Sequence, residues 1–402
     1  MKMKKILFIT LILSVMTIGI STVSAATHNI TDTNYGNNFN INDGTILSNS
    51  TIAAGDTLIV GNLYNKDFLL DRRLNVQSNG SDKIFNGTIT LIPNADGSVL
   101  RSINIDNVAK DGIVLDNVSK IQVIRNNIKL TGTSSYFTIT GINMIGSTNA
   151  ITIEGNTIKI DGESPYAISN TIWGLDANLN YTIIIDQTLS DMRIVSNKIS
   201  VNTTGIYSAG IYTSTISDYR IVDNGILVSS KQFIYGIVVN DESSSANLTT
   251  VRDVYIDTNK VTGIGKIATS KIDMKLKAGT MVYLIELYLT GNTQITKNEL
   301  TGEGNGVYGV ALYGSNYTTI QENDIDVTNG SASFINHTAN YDAIDSEYAS
   351  AAVMVYGQNT PQQIWNYYIT ITHNQFGVLL SGAIDIIAQF TVSPTIYGNI
   401  LY

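Results

Sequence analysis

A pattern of eight residues recurs nine times along this chain: apolar, any, Ile or Val, any, any, Asn, any, apolar. It runs from Ile121 to Ile128, from Ile151 to Ile158, from Met192 to Ile199 and from Tyr219 to Ile226, its asparagines being Asn126, Asn156, Asn197 and Asn224. Further copies are centred on Asn259, Asn298, Asn323, Asn374 and Asn399, with the first position only loosely apolar in the later ones. The asparagines are separated by 30, 41, 27, 35, 39, 25, 51 and 25 residues. The shortest intervals read as one repeating unit, and the longer ones as one unit plus an excursion.

Alternation with period two marks strands that bury one face. A unit of about 25 residues holds two or three such strands and no helix. Such coils bury nothing alone and must stack on their neighbours. The fold class this specifies is all-β, a single-stranded right-handed parallel β-helix with coils about 4.8 Å apart. The third pattern position, Val123, Ile153, Ile194, Ile221, Ile256, Ile295, Ile320 and Ile371, is expected to form one buried ladder. Each Asn is expected at a corner, where it tolerates left-handed backbone, and in a hydrogen-bonded stack. Leucine-rich repeats lack their leucine consensus here, and a β-propeller needs longer blades joined by hairpins.

A second strand precedes each motif, opened by glycine at Gly112, Gly141, Gly210, Gly236 and Gly309. Glycine there suits a corner with unusual dihedrals. Residues 52–402 are read as one β-helix whose divergent start extends to Asn107. Residues 26–51, rich in Asn and Thr, are read as a cap over the open end or a loose segment. Residues 1–25 have the form of a signal peptide: Lys2, Lys4 and Lys5, then an apolar run from Ile6 to Ile20, then Val23-Ser24-Ala25 as a small-residue cleavage site.

Composition narrows the function. There is no cysteine, so disulfides, cysteine metal sites and cysteine nucleophiles are excluded. Only 14% of residues are charged, well below the roughly 25% of an average domain, so uncharged polar groups must cover the surface. The formal charge of −9 becomes −12 without the leader and its three lysines. An acidic surface repels nucleic acid and anionic lipid.

The run from Ala54 to Val60, then Asn65 to Val76, followed by Asn-terminated coils, resembles the adhesin-like surface proteins of methanogenic archaea. Those are similar in turn to the pectate-lyase-like right-handed β-helices. The resemblance covers roughly residues 50 to 402 and implies a secreted or cell-surface protein, often with added C-terminal domains. This sequence ends instead in a coil, Thr395 to Tyr402.

The same superfamily includes polysaccharide lyases, hydrolases and epimerases. Glycoside hydrolysis needs two carboxylates across one bond, and the sequence shows no Asp-Asp pair, Asn-Thr-Asp or Gly-His-Gly. The column before the motif Asn reads Arg125, Gly155, Ser196, Asp223, Thr258, Lys297, Glu322, His373 and Gly398, with no acidic cluster. No catalytic residue is assigned. Asp342, Asp345 and Glu347 fall together in the longest excursion and have the donors for a calcium ion, although they read first as a solvated acidic loop. No cofactor and no metal site is otherwise expected. His28, His337 and His373 are scattered and read as surface residues.

Two outward columns suit ligand binding. Tyr212, Tyr288, Tyr313 and Tyr356 each end a second strand, with a break at Val238-Val239-Asn240. Tyrosine offers a flat apolar face and a polar tip, the pair that stacks on sugars; mutual stacking that seals the core is the competing reading. The other column is Gln122, Thr152, Arg193, Arg220, Tyr255, Gln294, Thr319, Thr370 and Thr395, in which Arg193 and Arg220 can hold an acidic sugar or carboxylate. The excursions, approximately 161–190, 241–252, 265–282, 324–350 and 358–367, include or adjoin Trp173 and Trp365 and are where specificity belongs. The sequence therefore reads as a secreted or cell-surface, non-catalytic, adhesin-like protein that binds glycans or envelope polymers. The alternatives are a polysaccharide-active enzyme on the same fold and a passive structural element of the envelope.

Overall fold

The computed structural model describes residues 25–402 except 133–138, 171, 176–180, 185–188, 204, 206, 215, 232, 241–250, 266–279, 305, 330–349, 357–364, 379–382 and 389–390. The leader, Asp342, Asp345, Glu347 and His337 lie outside the described residues.

Each full coil contributes three strands in a fixed order. Ile113–Asp116 belongs to the sheet of glycine-opened strands, hereafter the upstream sheet. Gln122–Ile124 belongs to the motif sheet, and Asn127–Gly132 to the sheet that follows the asparagine. Repetition builds parallel sheets of 11, 15 and 12 described strands respectively. The chain is a right-handed parallel β-helix, the hand that crossovers between parallel strands adopt.

Strand pairing places Val123, Ile153, Ile194, Ile221, Ile256, Ile295, Ile320 and Ile371 opposite one another in unbroken register. All eight are fully buried. Each such isoleucine removed from water is worth about 1.5–3 kcal/mol, so the repeat itself supplies the core.

The asparagines occupy one edge, between the motif sheet and the sheet that follows. Nδ2 of each donates to Oδ1 of the next at 2.9–3.0 Å, from Asn126 through Asn156, Asn197, Asn224, Asn259, Asn298, Asn323 and Asn374 to Asn399. The same Oδ1 accepts the preceding asparagine's backbone N–H. Nδ2 also donates to a carbonyl of the coil before, as Asn224 does to Ile194 at 2.9 Å. A buried amide with every group matched is what a corner without water requires.

Two sequence expectations need correction here. The left-handed residue is not the asparagine but the one before it: Arg125, Gly155, Ser196, Asp223, Thr258, Lys297, Glu322, His373 and Gly398 all have φ between 53° and 67°. The asparagine turns inward to serve the ladder, and its neighbour takes the bend with its side chain outside, which is why that column tolerates any residue type. The glycines opening the upstream strands, likewise, do not have positive φ. They are selected by space: a Cβ on Gly112 would lie 2.6 Å from the carbonyl oxygen of Gly141 and 2.8 Å from Ile128.

Residues 26–51 are not loose. Thr27–Ile30 pairs in parallel with Thr57–Val60. Ile30, Tyr35 and Phe39 are buried, and Tyr35 and Phe39 pack on Phe68 at ring separations of 5.5 and 5.0 Å. This aromatic plug covers the first coil. His28 belongs to it, its Nε2 lying 2.8 Å from Oδ2 of Asp56. Among the described residues no helix is long and apolar enough to cross a membrane.

Candidate ligand-binding face

The corner between the motif sheet and the following sheet holds the same two-residue link, a left-handed residue and then Asn, in every copy of the motif. The insertions fall elsewhere. Segments 171–188, 241–250 and 357–364 leave the ends of upstream-sheet strands, and segments 133–138, 266–279, 330–349 and 379–382 lead into the starts of others. The reason is local: an inserted residue at the asparagine corner would break two ladders at once, whereas both edges of the upstream sheet lie outside them. Trp173 lies on Ile172–Leu175, which pairs antiparallel with Tyr181–Ile184 within one of these excursions. Trp365 is half-buried.

On the outward side of the upstream sheet the tyrosines form two columns, not one. Register sets Tyr288, Tyr313 and Tyr356 opposite Asn240 and Ser214. Tyr212 belongs instead with Val238, Glu286, Ala311 and Met354. The expectation that placed Tyr212 in the column of the other three is therefore wrong by two residues, because its strand, Tyr207–Ser214, continues past it. A second aromatic column that sequence reasoning missed contains Tyr166, Tyr235, Tyr283 and Tyr308.

The tyrosines are not the row of exposed platforms expected from the sequence. Tyr313 and Tyr356 are only 5% and 7% exposed, and Tyr212 and Tyr288 are half-buried. Tyr288 and Tyr313 stack face to face, with centroids 4.5 Å apart and planes 10° apart, and Tyr356 leans on Tyr313 at 5.0 Å. Rings spaced by the coil repeat use their flat faces on one another, so what remains for a ligand is edges and hydroxyl tips.

The half-open part of this face spans three coils, Tyr207–Ser214, Phe233–Asn240 and Met281–Tyr288. Val238 lies at its centre, flanked along its own column by Tyr212 on one side and Glu286 on the other. Tyr235 and Tyr283 stand beside it, stacked at 5.4 Å, and Tyr212 meets Tyr235 edge-on at 6.4 Å. Nδ2 of Asn240 donates to the Tyr212 hydroxyl at 3.3 Å.

Glu286 is the unexpected member. It is half-buried, and no described residue forms a hydrogen bond or ion pair with it. Burial pushes its carboxyl up to about 7. Tyr235 is held well above the ordinary phenol range, first by burial and then by the Glu286 carboxyl. A carboxyl left unpaired in aromatic surroundings is costly, and such groups concentrate at functional sites. A sequence signal existed: Glu286 is the sole charged residue in the five strands Tyr207–Ser214, Phe233–Asn240, Met281–Tyr288, Gly306–Tyr313 and Ser350–Tyr356.

The motif-sheet column is as the sequence placed it. Gln122, Thr152, Arg193, Arg220, Tyr255, Gln294, Thr319, Thr370 and Thr395 are in register. Arg193 and Arg220 are exposed on adjacent strands. The Arg220 guanidinium lies over the Tyr255 ring at 5.2 Å, a cation–π contact that engages part of its charge. An exposed stacked pair, Tyr317 and Tyr368 at 4.9 Å, lies further along the same sheet. Among the described residues no group of three His, Asp or Glu is placed to hold a metal ion.

No protein-family profile matches the sequence, and no characterised protein sequence does. Solved structures do resemble it. The periplasmic alginate epimerase AlgG is 10% identical over 93% of this chain and 83% of its own, with a TM-score of 0.35. The A-module of the Azotobacter vinelandii mannuronan C-5 epimerase AlgE6 is 12% identical over 87% of this chain and 90% of its own, with a TM-score of 0.39. The catalytic domain of a GH87 α-1,3-glucanase is 10% identical over 89% of this chain and 69% of its own, with a TM-score of 0.29. At such identities and scores the likeness carries no argument about activity, and the fold rests on the strand topology above.

Proposed function

We propose that this chain is a secreted or cell-surface, adhesin-like protein that binds a glycan or envelope polymer along the outward face of its upstream sheet. The observation that carries this reading is the placement of the insertions. Each excursion enters or leaves that one sheet, and loops on a rigid scaffold are where binding specificity resides. The face they flank carries the aromatic columns, Tyr212 and Tyr288 with their half-buried edges among them, and a coil spacing of about 4.8 Å suits repeated contact with an extended polymer. Arg193 and Arg220 on the neighbouring sheet would take acidic groups of the same polymer. A calcium ion at Asp342, Asp345 and Glu347 would be an addition to this reading, not a requirement of it.

A polysaccharide-active enzyme is the second reading, and Glu286 favours it, because a carboxyl titrating near 7 matches what general acid–base catalysis needs. The nearest other described carboxyl flanking this sheet with a raised pKa, Asp111, is five coils away, about 24 Å. Glycan-array binding combined with product analysis on neutral and acidic polysaccharides separates the readings. Binding without product supports the adhesin-like reading; product formation abolished by Glu286→Gln supports the enzyme.

A further inference from the structure

We propose that the last coils of the motif sheet form a second binding site, in which the exposed pair Tyr317 and Tyr368 stacks on the ring of a neutral sugar. This site is separate from the upstream face and does not depend on it.

The backbone gives the first reason. The residue just before the motif has a positive φ in every copy, from 57° at Lys120 to 56° at Ser393. Strand register passes over it, pairing Gly291 with Asn316 and Thr293 with Thr318 on either side. Left-handed backbone is tolerated by Asp and Asn and costly for a bulky side chain. Asp218, Asp253 and Asn292 suit that requirement, yet Tyr317 and Tyr368 hold the same conformation at 53° and 56°. The fold favours a small polar residue at both positions and has tyrosine instead. Costly conformations of this kind concentrate where a ligand is held.

The rings give the second reason. Tyr317 is 62% exposed and Tyr368 51%. Their centroids are 4.9 Å apart and their planes 15° apart. That separation is the coil repeat, so each ring lies across the helix axis and covers one face of the other. The stack ends at two rings. The equivalent position before Tyr317 is Asn292, whose Nδ2 turns back to the Asp253 carboxylate. The position after Tyr368 is Ser393, too short to cover a ring. Each tyrosine therefore keeps an open outer face, unlike the enclosed Tyr313 and Tyr356 of the upstream sheet. A third plate in this column would be the apolar face of a sugar ring.

Charge names the ligand class. The motif strands Leu189–Val195, Ile216–Val222 and Val251–Asp257 each carry aspartate and arginine. From Thr290–Thr296 onward the motif strands carry no charge: Asn316–Gln321, Asn366–Tyr367, Thr370–Thr372, Thr391–Val392 and Thr395–Tyr397. Two residues beyond the rings, Gln294, Thr319 and Thr370 stand in register, and their amide and hydroxyl groups are partners for sugar hydroxyls. Lys297 and Glu322, at the asparagine corner, pair with each other at 4.0 Å. These strands offer an acidic sugar no cation and an amino sugar no carboxylate.

The test is calorimetric titration of the full chain with cellohexaose, laminarihexaose and mannohexaose, and with hexagalacturonate as the acidic counterpart. A neutral member of this set should bind, and hexagalacturonate should not compete with it. Tyr317→Asn and Tyr368→Asn replace the ring by a residue that accepts left-handed backbone, so both variants should melt no lower than the parent. Each should weaken binding about tenfold. Tyr317→Phe keeps the ring and should bind as the parent does. Titration well below the melting range keeps a destabilised variant informative. If none of the neutral oligosaccharides binds, or binding survives both asparagine variants, the site is overturned. Hexagalacturonate bound through the same tyrosines overturns the neutral class. Asparagine variants that melt lower and bind as before assign the pair to the fold and overturn the proposal.

Discussion

Asn224 and Asn259 are 35 residues apart in sequence, yet Nδ2 of the first donates to Oδ1 of the second at 2.9 Å in the buried edge of the coil stack. Asn224 also receives two bonds on its own Oδ1, from the backbone N–H and Nδ2 of Asn197. Removing one such side chain breaks the ladder in both directions. Asn224→Ala should cost about 2–5 kcal/mol, because several buried groups lose partners at once. Asn224→Asp should be at least as damaging, since a carboxylate cannot donate to Asn259. Chemical denaturation of the two variants checks both statements; a loss below about 0.5 kcal/mol in either would contradict the ladder's role.

The isoleucine column gives a second expectation. Ile221 is fully buried between Ile194 and Ile256. Ile221→Ala should cost about 2–5 kcal/mol, and Ile221→Asp should leave the central coils unfolded, because it buries an unpaired charge. Circular dichroism and thermal unfolding report both.

Glycines provide a matched pair. A Cβ on Gly236 would lie 2.4 Å from the carbonyl oxygen of Leu284 and equally close to Val261, whereas Gly225 has nothing within 4 Å of its virtual Cβ. Neither has a positive φ. Gly236→Ala should destabilise by about 1–3 kcal/mol, and Gly225→Ala should be neutral or slightly stabilising. Equal effects would mean that space is not what selects the upstream glycines.

Glu286 makes stability depend on pH in a defined direction. Its carboxyl loses a proton near pH 4.5 when unfolded and only near pH 7 in the fold. Below pH 4.5 it is protonated in both states and has no effect. As pH rises through this interval the unfolded chain gains, and above pH 7 the full penalty applies. Its ceiling is about 3 kcal/mol, reduced by partial contact with solvent. Glu286→Gln should therefore melt higher than the parent at pH 8 and at the same temperature at pH 4, read by calorimetry. A mutant that is less stable at pH 8 would show that the carboxyl has a stabilising partner.

The fold was legible because each repeat reports the same environment again. An isoleucine that recurs among changing neighbours, as from Ile153 to Ile371, marks a shared inward position, and an Asn that recurs across unequal spacings marks one edge. The backbone reason for that corner was not legible. The left-handed column runs from Arg125 to Gly398 with no common side chain, since its side chains point to solvent and nothing selects among them. The binding face was half legible. Tyrosines near strand ends were visible, but assigning Tyr212 to the column of Val238 required strand register: Tyr212 lies two residues before the end of its strand, whereas Tyr288 and Tyr313 end strands of the same length. Glu286 was missed because a single glutamate carries no periodic signal; it stands out only when the five upstream strands are aligned.

The most direct measurement is hydrogen–deuterium exchange of the intact protein with and without a glycan that binds it on an array. A ligand on the upstream face should slow exchange in Tyr207–Ser214, Phe233–Asn240 and Met281–Tyr288, and leave Lys198–Thr203 and Lys260–Gly265, in the sheet that follows the asparagines, unchanged. Protection confined to the motif sheet, or to the sheet that follows the asparagines, would contradict the assignment of the binding face.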